Sequence, residues 1–334
     1  MNILYTVNEA FVPQLAASVA SVCENSSPDD AIHFFVFCDK VSQTSKETLR
    51  SFLNKYCVEI DFIDIDGFMD AGCIDFDTQG WNEIVLSRLL LARFLGSDIQ
   101  RVLYLDADTM VRGSLKELWD APLNERGCII GACPEPTVSP KRMKALGHGG
   151  KPYFNAGVLL IDLESWRSNE IEKQLLECLK ERGAELFAND QDAINLVLDD
   201  RIMPLPVKYN YCNSFYYYPL SMLKRVSPWF DPDPRLYSEW ISNPVIVHFL
   251  GEDRPWRLGN THRYSNEYLQ NLSLTPWKGQ GMEDGWHFYY AAWSLFNMLT
   301  GPFPMFRYRL ITNMIPSVMR LRARGRRNRC WRDI

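Results

Sequence analysis

The sequence predicts an α/β protein built on a mostly parallel sheet with flanking helices. Over the first 110 residues, apolar strand-like runs alternate with helical patterns, as they do in βαβ units. At 334 residues, 46% hydrophobic and 23% charged, the chain can bury one large α/β core with an appendage, or two modest domains. The third observation is an apolar run, Val102-Leu103-Tyr104-Leu105, that ends in two aspartates, Asp106 and Asp108, where strand ends of such sheets place ligands.

Each element has a local reason. NILYTVN (2–8) reads as a first strand. A helical pattern follows through VPQLAASVASV, with Pro13 near its start, where a missing N–H is tolerated. IHFFVFCD (32–39) is a second strand, and SQTSKETLRSFLNKY is an amphipathic helix with Ser and Thr at its capping end. VEIDFIDI (58–65) is a third strand, WNEIVLSRLLLARFL (81–95) a helix, and 101–105 a fourth strand. Beyond them GCIIGAC (127–133) and GVLLIDL (157–163) are strand-like, while SWRSNEIEKQLLECLKER and NDQDAINLVLDD are helical. Residues 204–245, rich in Pro, Tyr and Trp, are expected to be irregular with short strands, and PVIVHFLG (244–251) is a last strand. After about residue 265 the sheet pattern stops, and there are no internal repeats.

Nine scattered cysteines contain no CxxC pair, which argues against a thiol metal or redox site and for a reduced, cytosolic setting. The start, MNILYTV, has neither a basic n-region nor a long apolar core, so no signal peptide is expected. Charge is uneven: residues 307–334 hold nine arginines and one acid, Asp333, so the net charge of −5 combines an acidic body with a basic tail. Aromatic residues reach 13%, a surplus that often lines sugar or base sites.

Two carboxylates at i and i+2 leaving a strand can point the same way and share one cation. Oxygen ligands suit Mn2+ or Mg2+, whose shells are commonly completed by phosphates. The alternatives are acids that merely cap a turn, or a haloacid-dehalogenase-type phosphatase, in which the first Asp of VLYLDADTM would be a nucleophile. A non-catalytic nucleotide-sugar-binding protein is a third possibility. Downstream blocks decide. YLDADTMVRGSL (104–115), KPYFNAGVLLIDLESWR (151–167), NDQDAIN (189–195) and HFLGEDRPW (248–256) together closely resemble the retaining glycosyltransferases of family 8, the branch with bacterial lipooligosaccharide galactosyl- and glucosyltransferases.

The resemblance covers roughly residues 1–260 and implies a GT-A, Rossmann-like fold. It implies that Asp106, Asp108 and His248 hold Mn2+, with Mg2+ as the alternative, against the diphosphate of a UDP-hexose donor. A mixed carboxylate and imidazole set favours Mn2+. Thr6, Asn8 and Phe11 in TVNEAF would hold the uridine, although the family commonly has Asp, Asn and Tyr where this chain has Asn8, Ala10 and Phe11. Gly251 would admit the diphosphate, and Arg254 stands where the family usually has Lys. Arg88 would lie near the donor sugar and phosphate, Asn155, Ala156 and Gly157 would line the sugar, and Asp190 and Gln191 would face the anomeric carbon. Asp192 is read as a helix cap.

The tail completes the expectation. Trp286 to Phe306 contains no Asp, Glu, Lys or Arg, and the arginine-rich stretch follows. Aromatics plus arginine describe an interfacial anchor on an anionic membrane surface through 286–332, with a helical cap on the catalytic part as the alternative. The division expected is a catalytic domain at 1–265 and an attachment segment at 266–334. The enzyme would be cytoplasmic and peripheral to the inner membrane face, acting on a saccharide or glycolipid acceptor, with no nucleic-acid partner. Galactose and glucose remain open as the transferred sugar.

Overall fold

The computed structural model describes residues 1–65 and 83–315. Its main sheet has seven strands: β1 (Asn2–Asn8), β2 (His33–Asp39), β3 (Glu59–Asp64), β4 (Arg101–Leu105), β6 (Ile130–Pro134), β7 (Phe154–Asp162) and β8 (Ile202–Pro204). They lie in the order β3-β2-β1-β4-β7-β6-β8. Six run one way; β7 runs against both its neighbours, β4 and β6. The chain winds outward from β1 to β3, then returns to start β4 on the other side of β1, so the topological switch lies between β1 and β4. A small second sheet pairs β5 (Thr109–Val111) with β9 (Ile246–His248), antiparallel.

Period-2 alternation divides the sheet between two cores. Ile3, Tyr5, Val7, Phe34, Val36, Leu103 and Leu105 face one, with Leu15, Ala16 and Val19 of the helix Val12–Glu24. Leu4, Phe35, Phe37, Val102 and Tyr104 face the other, with Trp166, Leu175, Leu179 and Ile194. Ser42 caps the helix Gln43–Leu53 by accepting the Ser45 N–H at 3.2 Å, as its sequence predicts.

The expected bounds of β1 to β4 hold within a residue or two. Four expectations fail. The helix expected over 81–95 is, within the described residues, a 3-10 turn Glu83–Leu90 followed by a short α-helix Leu91–Phe94; every residue from Leu86 to Leu91 is buried, Arg88 included, where an amphipathic surface helix would keep one polar face. The single helix over 165–182 is two, Leu163–Ser168 and Ile171–Arg182, broken where Glu170 takes a positive φ of 49°. Residues 204–245 fold mostly as short helices, Asn213–Tyr217, Leu220–Val226 and Pro234–Ser242, because their aromatic rings supply packing that replaces sheet pairing. The last strand is only three residues long and joins β5 rather than the main sheet.

Beyond residue 265 the chain is helical. Tyr268 and Leu272 of the helix Ser265–Ser273 pack into the first core. Helix His287–Thr300 is followed by helical residues 304–315. The two are joined through Arg307, whose buried guanidinium lies 4.0 Å from the Tyr217 ring centre and 5.2 Å from those of Trp293 and Phe296. Their outer side leaves Phe288, Leu295, Leu299, Phe303 and Phe306 exposed. Among the described residues no helix is long and apolar enough to cross a membrane. The arginines from Arg320 to Arg332 lie outside the described residues.

Candidate active site

The carboxyl ends of β1 and β4 meet the amino end of the reversed strand β7 at one edge of the sheet. Leu105 pairs with Val158, and one residue on, the Asp106 N–H donates to the Gly157 carbonyl at 2.8 Å. The chain then turns tightly: the Thr109 N–H and hydroxyl both donate to the Asp106 carbonyl, at 3.1 and 2.8 Å. That turn sends Asp106 and Asp108 out of the same edge. Because Thr109 pairs with His248 across β5 and β9, the imidazole arrives beside them.

Asp106, Asp108 and His248 offer ligand atoms that all lie within 4.8 Å of one another. His248 Nε2 is 3.2 Å from Asp108 Oδ1 and 3.6 Å from Asp106 Oδ2. Neither contact has hydrogen-bond geometry, so this buried nitrogen has no hydrogen-bond partner. The other nitrogen, Nδ1, is 2.8 Å from Asn210 Oδ1. A chain of amides fixes which way that bond runs. Asn155 Nδ2 donates to Glu135 at 3.0 Å, so Asn155 Oδ1 accepts from Asn210 Nδ2 at 2.8 Å, and Asn210 Oδ1 accepts in turn from His248 Nδ1–H. With Nδ1 carrying its proton to Asn210, Nε2 is the nitrogen that holds a proton or a metal towards the carboxylates.

The residues therefore fit a divalent cation. Burial alone would raise the Asp108 carboxyl, but His248 and then Arg254 more than reverse it and hold it below its ordinary value. Burial would lower the His248 imidazole; the charges of Asp108 and Asp106 outweigh it and favour the protonated ring. A cation bound there takes the place of that proton. Gly157 leaves the room: a Cβ at this position would lie 2.1 Å from His248 Cε1 and 2.9 Å from Asp106 Oδ2.

Arg88 does not reach solvent. Its Nη2 pairs with Asp106 at 3.0 Å, its Nε with Asp190 at 3.1 Å, and its Nη1 donates to the Ala156 carbonyl at 2.8 Å. Tyr104 adds a hydroxyl donated to Asp106 at 2.7 Å. Burial pushes the Asp190 carboxyl up to about 6, against the pull of Arg88 and with the repulsion of Asp106. Gln191, on the same helical turn, is fully engaged: its Oε1 accepts the Ala156 N–H at 3.1 Å, and its Nε2 donates to Glu135 at 3.0 Å and Tyr153 at 3.2 Å. Asp192 is buried, pairs with Arg142 at 2.5 Å, and takes the Ala188 N–H at 2.9 Å just before the helix Asn189–Leu198.

On the β1 side, Thr6 accepts from Ser87 at 3.3 Å. Asn8 ends the strand with a buried side-chain carbonyl that has no hydrogen-bond partner. Phe11 stands edge-on to Trp256 at 6.1 Å, and Arg254 reaches over Phe11 at 5.7 Å. Gly251 takes a φ of +73°, which favours glycine, and its carbonyl accepts from Arg254 Nε at 2.8 Å.

The fourteen residues named in advance for the metal, the donor and the chemistry lie on this sheet edge or on the loops and helical turns beside it. Sequence reasoning missed Asn210, Glu135, Tyr104 and Tyr153. Glu135 directly follows a strand end and Tyr104 sits two residues before Asp106; Asn210 and Tyr153 show no local signal, because their partners lie 38 residues away.

An open α/β sheet with an Asp-Asp-His cluster at its switch point defines an α/β protein with a candidate metal site where such sheets bind their ligands. The chain belongs to glycosyl transferase family 8, whose model matches residues 2–258. It is 27% identical over 286 residues to general stress protein A of Bacillus subtilis, covering 84% of this chain and 96% of that one. It is 27% identical over 284 residues to the lipopolysaccharide 1,3-galactosyltransferase of Salmonella typhimurium, covering 83% and 79%. Its fold matches the crystal structure of galactosyltransferase LgtC, solved with donor and acceptor sugar analogs, with a TM-score of 0.71 and 25% identity over 84% of this chain and 99% of that one. The protein is thus a glycosyltransferase of GT-A fold, of a family that uses nucleotide-sugar donors and a metal. The phosphatase and non-catalytic alternatives fall with that assignment.

Proposed function

We propose that this protein is a retaining hexosyltransferase of lipopolysaccharide or related cell-surface glycan synthesis. It moves galactose or glucose from a UDP-sugar to a hydroxyl of a saccharide or glycolipid. The observation that carries this reading is the unpartnered Nε2 of His248, facing Asp106 and Asp108 at the switch point of the sheet.

Asp106, Asp108 and His248 would hold Mn2+, or Mg2+ in its place. The ion would supply Lewis-acid charge beside the diphosphate. Thr6, Asn8 and Phe11 would hold the uridine; the unpaired Asn8 carbonyl suits the uracil N3–H. Gly251 lets the backbone approach the diphosphate, and Arg254 stabilises the charge that grows there as the anomeric C–O bond breaks. Arg88, Asn155, Ala156 and Gly157 would line the hexose. Asp190 and Gln191 would face its anomeric carbon.

For a retaining transfer, what these last two residues cannot do leaves same-face attack as the route. Gln191 is an amide whose oxygen is committed to the Ala156 N–H, and the Asp190 carboxylate is paired with Arg88. Neither is a free nucleophile. The bonding electrons leave with the diphosphate, the acceptor oxygen attacks the same face of the sugar, and its proton passes to the departing diphosphate oxygen. A covalent hexosyl adduct on Asp190 or Gln191 would overturn this route.

Residues 1–265 would form the catalytic part and 266–334 an attachment segment, holding the enzyme on the cytoplasmic face of the membrane. The uncharged run 286–306 and the arginines beyond the buried Arg307 support this, each arginine near an anionic surface contributing roughly 1 kcal/mol. The direct test is UDP release across a panel of UDP-sugars with Mn2+. Turnover of a UDP-hexose is expected, and Asp108→Ala should lower it at least about 100-fold, since the ion's charge is worth several kcal/mol. Unchanged turnover in Asp108→Ala would sink the metal assignment.

A further inference from the structure

We propose that Glu283 and Arg257 are positioning residues for donor binding, clamping the loop that carries Gly251 and Arg254. The proposal rests on the UDP-sugar reading above and extends the donor site into the chain beyond residue 265.

The clamp begins in the backbone. The Glu283 N–H donates to the Trp256 carbonyl at 2.8 Å, and the Leu258 N–H donates to the Glu283 carbonyl at 2.9 Å. Glu283 thus bridges both sides of Arg257 in an isolated parallel pairing. Its carboxylate then holds two side chains: Trp256 Nε1–H donates to Oε1 at 3.1 Å, and Arg257 Nε–H to Oε2 at 2.7 Å. Arg257 is buried, and its Nη1 donates to the Glu252 carboxylate. The Trp286 ring centre lies 3.5 Å from the same guanidinium, and the Tyr290 hydroxyl donates to the Glu252 carbonyl at 2.6 Å. Glu283, Trp286 and Tyr290 all lie beyond the residues 2–258 that the family model matches.

What the clamp holds is the loop 251–254. Glu252 and Trp256 stand two residues to either side of Arg254, and both are gripped. Asp253 is fixed separately, accepting from Asn213, Tyr217 and Asn260. The hydrogen bonds of Arg254 stay inside the loop, from its N–H to the Glu252 carbonyl at 3.0 Å and from Nε to the Gly251 carbonyl at 2.8 Å. Its guanidinium leans on Trp256, 5.4 Å from the ring centre. The residues that tie the loop down are therefore distinct from the two that would meet the diphosphate. Gly251 has no side chain to lock its backbone, so the order of the loop must come from outside. A loop fixed before the donor arrives spares binding the entropy of ordering it.

The same segment reaches the other half of the donor site. A Cβ on Gly281 would lie 2.8 Å from that of Pro13, two residues after Phe11, so the chain passes close against the turn that would hold the uridine. A clamp that only docked the C-terminal helix would act on stability alone. One that positions the loop must act through Arg254, and that difference can be measured.

The test is calorimetry of the full-length protein with Mn2+ and UDP. The Glu283 side chain is 40% exposed, so Glu283→Ala removes the clamp without opening the core. It should weaken Mn2+–UDP binding about tenfold or more, because the ligand must then order the loop itself. In a protein already carrying Arg254→Ala, the same change should weaken binding by less than about twofold, since residues acting through one contact are not additive. Trp286→Leu, which removes the ring and leaves the carboxylates, is the second variant and should show the same dependence on Arg254. Unchanged affinity in both variants, or an equal loss with and without Arg254, makes the clamp a structural prop and overturns the proposal. A wild type that does not bind Mn2+–UDP, or an Arg254→Ala protein that binds it as the wild type does, overturns the donor assignment, and the clamp with it.

Discussion

The sheet edge around His248 and the outer side of the C-terminal helices invert the usual partition of side chains in opposite directions. At the first, Arg88, Asp190, Asp192 and His248 are withdrawn from water. At the second, Phe288 is 86% exposed, and Leu299 and Phe303 further along are exposed as well. Buried charges persist only when paired or when they await a ligand, and clustered exposed apolar groups mark a surface meant for something other than water. The comparison teaches that the first region is largely self-paired, with His248 Nε2 and the Asn8 carbonyl among the few groups left open, whereas the outer side of the second is unsatisfied along its length. The first therefore fits one small ion, and the second an extended apolar partner.

Breaking the first region should have the largest effect. Gly157→Ala drives a Cβ into the His248 ring, so Mn2+ affinity by calorimetry should fall by more than about 100-fold, beyond the usual cost of an outer contact. Near-wild-type affinity would show that the imidazole is not a ligand. Asn210→Ala removes only the group that orients the ring, and a loss of about 10–100-fold is expected, measured the same way with the melting temperature as control. The amide chain from Glu135 makes a sharper version: Glu135→Gln should disturb the same affinity through Asn155 and Asn210, less than the direct change does.

The pH dependence probes Asp190. Its carboxyl titrates at about 6, above the ordinary 3.8. If the ionised form serves turnover, the rate should fall below about pH 6, and Asp190→Asn should show a lower rate without that limb. The sign for stability is opposite. The folded state binds the proton more tightly than the unfolded one, so this group's contribution worsens as pH rises from about 4 to 6 and is constant above. A rate limb that persists in Asp190→Asn would assign it elsewhere, His248 being the obvious candidate.

The smallest effect belongs to the second region. Leu299→Ser with Phe303→Ser should weaken sedimentation with anionic vesicles by about tenfold or more, since burying each such side chain is worth roughly 1.5–3 kcal/mol. Turnover on a soluble acceptor should be unaffected. Equal sedimentation of variant and wild type would remove the membrane from the account.

Much of the fold was legible because its signals are local. The apolar runs of β1 to β4 and the capped helix after β2 depend on residues a few positions apart, and their expected bounds hold. The Asp106/Asp108 pair was visible for the same reason. What could not be read were features set by neighbours distant in sequence. The 3-10 turn at 83–90 looks like an amphipathic α-helix in sequence, yet Leu86 to Leu91 are all buried. β9 looks like a sheet strand until β5, itself too short to notice, claims it. Asn210 lies in a stretch that reads as irregular, and only its place between Asn155 and His248 gives it a task.

By itself the sequence determined the strands β1 to β4, the first two helices and which reactive side chains the chain carries, because hydrophobic period and capping chemistry act over one or two turns. It did not determine that β7 runs backward beside β4, or that β9 leaves the main sheet. Those pairings, made across 50 to 140 residues by backbone hydrogen bonding and core packing, bring Gly157, His248 and the two aspartates to one point. Only the tertiary structure decides that, because the free energy of a strand pair resides in its partner as much as in its own residues.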